Sequence, residues 1–208
     1  MAQILKEESR EAIIAAAKQE FLEKGYKGAS MREIAKKAHM TVGNLYRYYK
    51  NKEDINLTIV APTFKEIDSL LKSLTSDSVS METRVFNLKP DIKELKEMLD
   101  KLVDGLVDIY SKNKTEFNIL MLHSRLNEEI TTWFTDIVNS LIADNFIMEG
   151  INQDRDILSR SYAESVFAGI RVLFRDDNSN SDILKNLLKT YLRSFVYMLD
   201  SDLRKVAE

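Results

Sequence analysis

Only six glycines and two prolines punctuate the 208 residues of this chain. Both residue types end helices, glycine through its freedom at positive φ and proline through its missing N–H. A chain with so few of them is constrained toward long helices with few breaks. Strands are disfavoured as well, since no segment sustains the alternation of apolar and polar residues that a half-buried strand requires. An apolar share of 44% is enough to build a core. No internal repeat is found, and the expected fold class is all-α with about nine helices.

The helical period is explicit in several stretches. Over residues 4–24, Ile13, Ala17 and Phe21 recur every fourth position, with Ile14 alongside and charges opposite. Gly25 then stands where a helix should end. Ser30-Met31-Arg32-Glu33 has the form of a capping box, in which the serine oxygen accepts the Glu33 backbone N–H and the glutamate reaches back. A brief helix follows, carrying Ile34, Ala35 and Ala38 inward. His39-Met40 makes a tight turn, and Thr41 is the next N-cap. A second short helix places Leu45 and Tyr49 on one buried face. Asn51 opens a third helix, with Glu53 and Asp54 in the first turn, where the helix dipole favours anions.

That third helix is expected to reach about Leu74, with Pro62 kinking or breaking it. The Ser- and Thr-rich stretch TSDSVSMETRVFNLKP reads as a loop. Beyond Pro90 a stripe of Leu95, Leu99, Leu102, Leu106 and Ile109 marks another helix. Further helices are expected at about 115–125, 128–148, 154–175 and 182–204.

Two short helices joined by a tight turn, after a longer one, make a helix-turn-helix unit. In such units the second helix enters the major groove of DNA, its N-terminal end toward the base edges. The run TVGNLYRYYKNKEDI fits that use. Leu45 and Tyr49 anchor it. Thr41, Val42, Gly43, Asn44, Tyr46, Arg47 and Tyr48 occupy the remaining faces. Gly43 lets the backbone come close, Asn44 can read an adenine edge, and Val42 can touch a thymine methyl. Tyr46 and Tyr48 can offer hydroxyls to phosphates, and Lys50 and Lys52 can bind phosphates as point charges. The alternative is a purely structural aromatic face. Against it, residues two or three apart point in well-separated directions, so Tyr46 and Tyr48 do not both share the face of Tyr49.

The charge distribution agrees. Residues 1–52 hold eleven basic and six acidic side chains, and the rest of the chain holds nineteen against twenty-seven. A basic head on an acidic body suggests that the head meets something anionic. There is no cysteine, which excludes disulfides and thiolate chemistry. No apolar run is long enough for a membrane span and the N-terminus lacks a signal peptide, so a soluble cytoplasmic protein is expected. His39 reads as a solvent-facing or phosphate-side residue of the turn, and His123 as a structural histidine. With no acid–base cluster, phosphate loop or metal-ligand spacing, an enzyme, a cofactor and a metal are not expected.

The segment from residue 16 to 55, AAKQEFLEKGYKGASMREIAKKAHMTVGNLYRYYKNKEDI, resembles the TetR family of transcriptional regulators, and within it the multidrug-responsive branch typified by QacR and AcrR. Phe21, Gly25-Tyr26, Ser30, Ile34-Ala35, Ala38 and the run GNLYRYYKNKED carry the likeness, over about a fifth of the chain. Tyr49 stands where a phenylalanine is usual, and Met31 where threonine or valine is frequent. The resemblance implies that Tyr46 and Lys52 hold phosphates and that Ser30 contacts the DNA backbone. It also implies that Val42, Gly43 and Asn44 face bases, and that Arg47 and Tyr48 sit where contacts vary. Arg32 and Lys50 complete the expected DNA-binding set.

The resemblance further implies residues 1–52 as a DNA-binding domain and residues 53–208 as an effector-binding and dimerisation domain. The function it implies is a homodimeric repressor, released from a palindromic operator by a small, largely apolar effector. Tyr110, Phe117, Met121 and Trp133 are the candidates for an effector pocket; plain core is the alternative for them. Over residues 157–175 the apolar side chains span a wide arc, more than one covered face needs. The helix from Ile183 to Leu203 does the same. A second copy is the simplest extra cover, with Tyr162, Val166, Phe167, Ile170, Leu188 and Phe195 as the candidate dimer interface. The rivals are a DNA-binding module whose body docks a protein partner, and an enzyme carrying a DNA-binding head.

Overall fold

A computed structural model of the chain describes residues 2–74, 92–122, 155–175 and 180–205, together with Thr132 and Thr135. Among the described residues there are eight helices and no strand: α1 (Ala2–Gly28), α2 (Met31–Lys37), α3 (Val42–Leu45), α4 (Lys52–Leu74), α5 (Ile92–Lys112), α6 (Lys114–Leu122), α7 (Arg155–Arg175) and α8 (Ser181–Lys205). The all-α expectation holds. The loop expected between Leu74 and Pro90 and His123 lie outside the described residues. So does most of the helix expected at 128–148, of which only Thr132 and Thr135 are described, both helical.

The described residues fall into two compact units. One holds those within Met1–Ile67 and Lys112–Ser124, the other those within Asp68–Ser111 and Arg125–Glu208. The first is built on α1. Ile13, Ala17 and Phe21 are wholly buried, as their four-residue spacing requires. Around them lie Ile34 and Ala35 of α2, Leu45 of α3, Ile55 and Val60 of α4, and Phe117 and Leu120 of α6, all buried. Lys18 and Glu116 pair between α1 and α6. Gly25 leaves helical geometry at φ 66°, ψ 170°, as its position predicted. The helix nevertheless resumes to Gly28, because Gly25 alone departs and its carbonyl accepts the Ala29 N–H at 3.1 Å. Pro62 does not end α4, which runs on to Leu74.

The second unit is a layer of long helices. Leu99, Leu102, Val103, Val107, Ile109 and Tyr110 form the buried stripe of α5. In α7 the buried set is Ala163, Val166, Phe167, Ile170 and Phe174, and in α8 it is Leu184, Leu188, Leu192 and Val196. These two helices pack on each other. Tyr191 lies over Gly169, where an added Cβ would meet its hydroxyl at 2.2 Å and ring carbon Cζ at 2.3 Å. The same hydroxyl donates to the Ser165 carbonyl at 3.0 Å.

Helices α5 and α8 are joined by a ladder of charges. Lys185 pairs with Asp108 at 2.9 Å, Lys189 with Asp104 at 2.7 Å, and Arg193 with Asp100. Lys96 sits 4.0 Å from the centre of the Tyr197 ring, and the hydroxyls of Ser111 and Ser181 are 3.0 Å apart. The charged partners step by four residues along each helix in opposite directions, so the two helices run antiparallel with one side-chain pair per turn.

The positions expected at a dimer interface differ in their exposure. Val166, Phe167, Ile170 and Leu188 are 1–3% exposed within a single chain. They form the inner edge of the apolar arc, facing the chain's own core. Tyr162 and Phe195 are half-buried and stack edge to face at 5.7 Å. The outer edge consists of other residues: Ile157, Val172, Ile183, Leu187 and Tyr197 are 45–66% exposed. Gly169, Val172, Leu173, Ile183, Leu187 and Tyr191 line an open apolar groove of about 620 Å³ on this side.

Candidate nucleic-acid interface

The unit that holds the candidate DNA-contacting residues is shaped by three side-chain caps. Ser30, in an extended conformation, accepts the Glu33 N–H at 3.2 Å and starts α2. Thr41 accepts the Asn44 N–H at 3.2 Å and starts α3. Asn51 Oδ1 accepts the Asp54 N–H at 2.8 Å, while the Asp54 carboxylate accepts the Lys50 N–H at 3.1 Å. Each cap satisfies N–H groups that a helix start leaves unpaired, so the boundaries of all three helices are set locally.

The turn from α2 to α3 is a Schellman motif. The Met40 N–H reaches the Ala35 carbonyl at 2.9 Å and the His39 N–H reaches that of Lys36 at 3.1 Å. The motif places His39 at φ 54°, the single non-glycine residue at positive φ among the described residues. Glycine is the usual occupant of that position. A side chain there carries strain, and histidine is one of the types that tolerate it.

Helix α3 is shorter than expected. Regular α-geometry covers Val42–Leu45, and the chain then tightens: the Leu45 carbonyl accepts from both Tyr48 and Tyr49, at 2.9 and 3.1 Å. Leu45 and Tyr49 are the buried anchors, as the sequence predicted. Burial pushes the Tyr49 hydroxyl above the usual tyrosine range. Over these anchors, Thr41, Gly43, Tyr46, Arg47 and Lys50 are exposed, Tyr46 by 53%. Val42, Asn44 and Tyr48 are half-buried. A Cβ built on Gly43 meets nothing within 4 Å. On α2, Arg32 is exposed and Ser30 half-buried.

Two lysines near this surface are engaged within the chain. Lys37 of α2 pairs with Glu20 and Glu23 of α1 at 2.9 and 2.6 Å. Bonding to Glu23, and then to Glu20, raises the Lys37 ammonium above the usual lysine range. Bonds from Lys37 and Gln19 hold Glu23 below the usual carboxylate range. The ammonium of Lys52 is bound to backbone carbonyls at the end of α1. Neither engagement was read from the sequence, because both join residues at least fourteen positions apart.

Comparison with known proteins matches the segment just described. The sequence profile of bacterial regulatory proteins, tetR family, matches residues 13–58, the segment that carries the three caps and the exposed face of α3. Residues 13–58 of the chain thus carry the tetR-family domain. Members of this family are DNA-binding transcriptional regulators that act as dimers. The fold of the chain is similar to that of a TetR family transcriptional regulator from Chloroflexus aurantiacus J-10-FL, with a TM-score of 0.53 and 18% identity over 96% of this chain and 93% of that one. It is also similar to a TetR-like regulator from Rhodococcus sp. RHA1, with a TM-score of 0.51 and 14% identity over 88% and 92% of the two chains. No curated protein sequence matches the chain.

Of the expected effector-pocket residues, Tyr110 belongs to the second unit. It is buried, its ring centre is 4.9 Å from that of Phe174, and its hydroxyl donates to the Phe174 carbonyl at 3.3 Å. Phe117 and Met121 belong to the first unit, the former wholly buried. Trp133 lies outside the described residues. Sequence reasoning did not single out Asn56 and Thr63, two buried polar residues on α4 whose side chains have no hydrogen-bond partner among the described residues. Their seven-residue separation puts them on one face of α4, a signal the sequence did contain. No described helix is long and apolar enough to cross a membrane.

Proposed function

We propose that this chain is a homodimeric repressor whose two heads read the two halves of a palindromic operator, and that a small, largely apolar effector releases it. The observation that carries the DNA-reading part is the division of α3. Two buried side chains anchor it, while Thr41, Gly43, Tyr46, Arg47 and Lys50 stand open to solvent on a rigidly capped helix start. Thr41, Val42, Gly43 and Asn44 are assigned to base edges. Ser30, Arg32, Tyr46, Arg47, Tyr48 and Lys50 are assigned to phosphates and the groove wall. Residues 1–52 form the DNA-binding domain of this reading, and residues 53–208 the effector-binding and dimerisation domain.

The dimer part is supported by the exposed apolar groove of α7 and α8, which water disfavours and an identical groove on a second copy would cover. The effector part follows the family. An effector that binds better to a conformer unsuited to the operator depletes the DNA-binding population. Footprinting on DNA upstream of the protein's own gene tests the reading. A palindromic protected site is expected, with affinity falling steeply as salt rises. An absence of any protected site, with the chain monomeric at micromolar concentration, would refute it. The effector is sought by thermal shift with hydrophobic cations and acyl compounds, since a ligand of the folded chain raises its melting temperature.

A further inference from the structure

The Lys52 ammonium nitrogen lies 2.6 Å from the carbonyl oxygen of Tyr26, 2.8 Å from that of Ala29 and 3.3 Å from that of Lys27. It also sits 4.8 Å from the centre of the Tyr26 ring. An ammonium has three N–H donors and no acceptor, so these three carbonyls account for all of them. The carbonyls of Tyr26 and Lys27 belong to the last turn of α1, just after the backbone departs at Gly25, and that of Ala29 lies one residue beyond the helix. Carbonyl groups near a helix C-terminus favour a cation. The Tyr26 ring is itself stacked on the buried Phe21, with centres 6.0 Å apart.

Ala29 is followed at once by Ser30, the cap of α2. One side chain from the first residue of α4 therefore holds the connection from which α2 starts. We propose that Lys52 is a positioning residue for operator binding: it acts through the Tyr26–Ala29 turn on the placement of Ser30 and α2, and does not itself ligate a phosphate. This rests on the DNA-binding reading above and departs from the phosphate role that the family resemblance implies. The two roles differ in a measurable way. Losing a phosphate ligand releases fewer counterions, and the slope of log affinity against log salt flattens by about 0.9. Losing a positioning residue lowers affinity and leaves the slope parallel.

The experiment compares the full chain with Lys52→Met, Lys52→Arg and Lys50→Ala. Binding to the footprinted duplex is titrated across salt, at a temperature where each protein is folded. Lys52→Met is expected to lose about tenfold in affinity with an unchanged slope, whereas Lys50→Ala flattens the slope. Hydrogen exchange of the DNA-free proteins is expected to show faster exchange at the amides of residues 26–30 in Lys52→Met. A flattened slope, an unchanged affinity or unchanged exchange in Lys52→Met would each overturn the proposal. Should that variant not fold, Lys52→Arg decides the matter. It keeps the charge, but its planar fork does not fill three converging carbonyls as an ammonium does. Affinity and protection should both fall, and full wild-type affinity would overturn the proposal. If the wild-type chain binds no duplex, the DNA-binding reading fails, and the exchange comparison still decides whether Lys52 holds the turn.

Discussion

Replacing Gly43 with alanine should make the protein more stable and a poorer DNA binder. The added Cβ has no heavy atom within 4 Å, and Gly43 is not at positive φ. Within the chain, the substitution therefore meets neither a clash nor backbone strain. Glycine costs a helix about 0.5–1 kcal/mol relative to alanine, largely through the entropy of the unfolded chain. For a protein of this size, about 1 kcal/mol corresponds to a melting-temperature rise of roughly 2–4 °C. In the complex, the same methyl group would stand between the α3 backbone and the base edges. We expect a loss of about tenfold in operator affinity, equivalent to about 1.4 kcal/mol. Calorimetry measures the first effect, and fluorescence anisotropy with the footprinted duplex measures the second. Unchanged affinity alongside the higher melting temperature would refute a close approach of the backbone at Gly43. A lower melting temperature would refute the open surroundings of that residue.

The other predictions separate the remaining roles. Asn44→Ala should relax discrimination at one base-pair position by about 1–3 kcal/mol, seen in competition against single-base operator variants. His39→Gly should raise stability by about 0.5–1 kcal/mol in urea titration, by relieving a left-handed side-chain-bearing residue in an otherwise intact Schellman turn. Gly169→Ala should destabilise by about 1–3 kcal/mol, because the new Cβ collides with Tyr191. The double variant with Tyr191→Ala should lose less than the two single losses combined, and strict additivity would show that the two residues do not meet.

What could be read from the sequence was what neighbouring residues decide. Ser30, Thr41 and Asn51 each accept the backbone N–H three residues ahead, and all three caps are formed. Leu45 and Tyr49 are buried because four-residue spacing puts them on one face. Periodicity also gave the width of the apolar arc on α7, but it could not tell which edge faces the chain itself. That choice depends on α8, and it went to Val166, Phe167 and Ile170, leaving Val172 outside. The role of Lys52 was equally hidden. A lysine at a helix start suits a phosphate or a nearby helix end alike, and only the placement of Tyr26 and Ala29 beside it decides for the latter.

The charged rungs between α5 and α8 have a bearing on how these helices find their alignment. Acids at positions 100, 104 and 108 face bases at 193, 189 and 185. Sliding one helix along the other by four residues, about 6 Å, would still give two of the three acids a basic partner. Coulomb attraction alone thus scarcely distinguishes the observed alignment from its neighbours. The choice falls to what does not repeat, the unlike ends of the row. Displacement one way brings Lys96 against Arg193, and displacement the other way sets Asp100 beside the ring of Tyr197 in place of a cation.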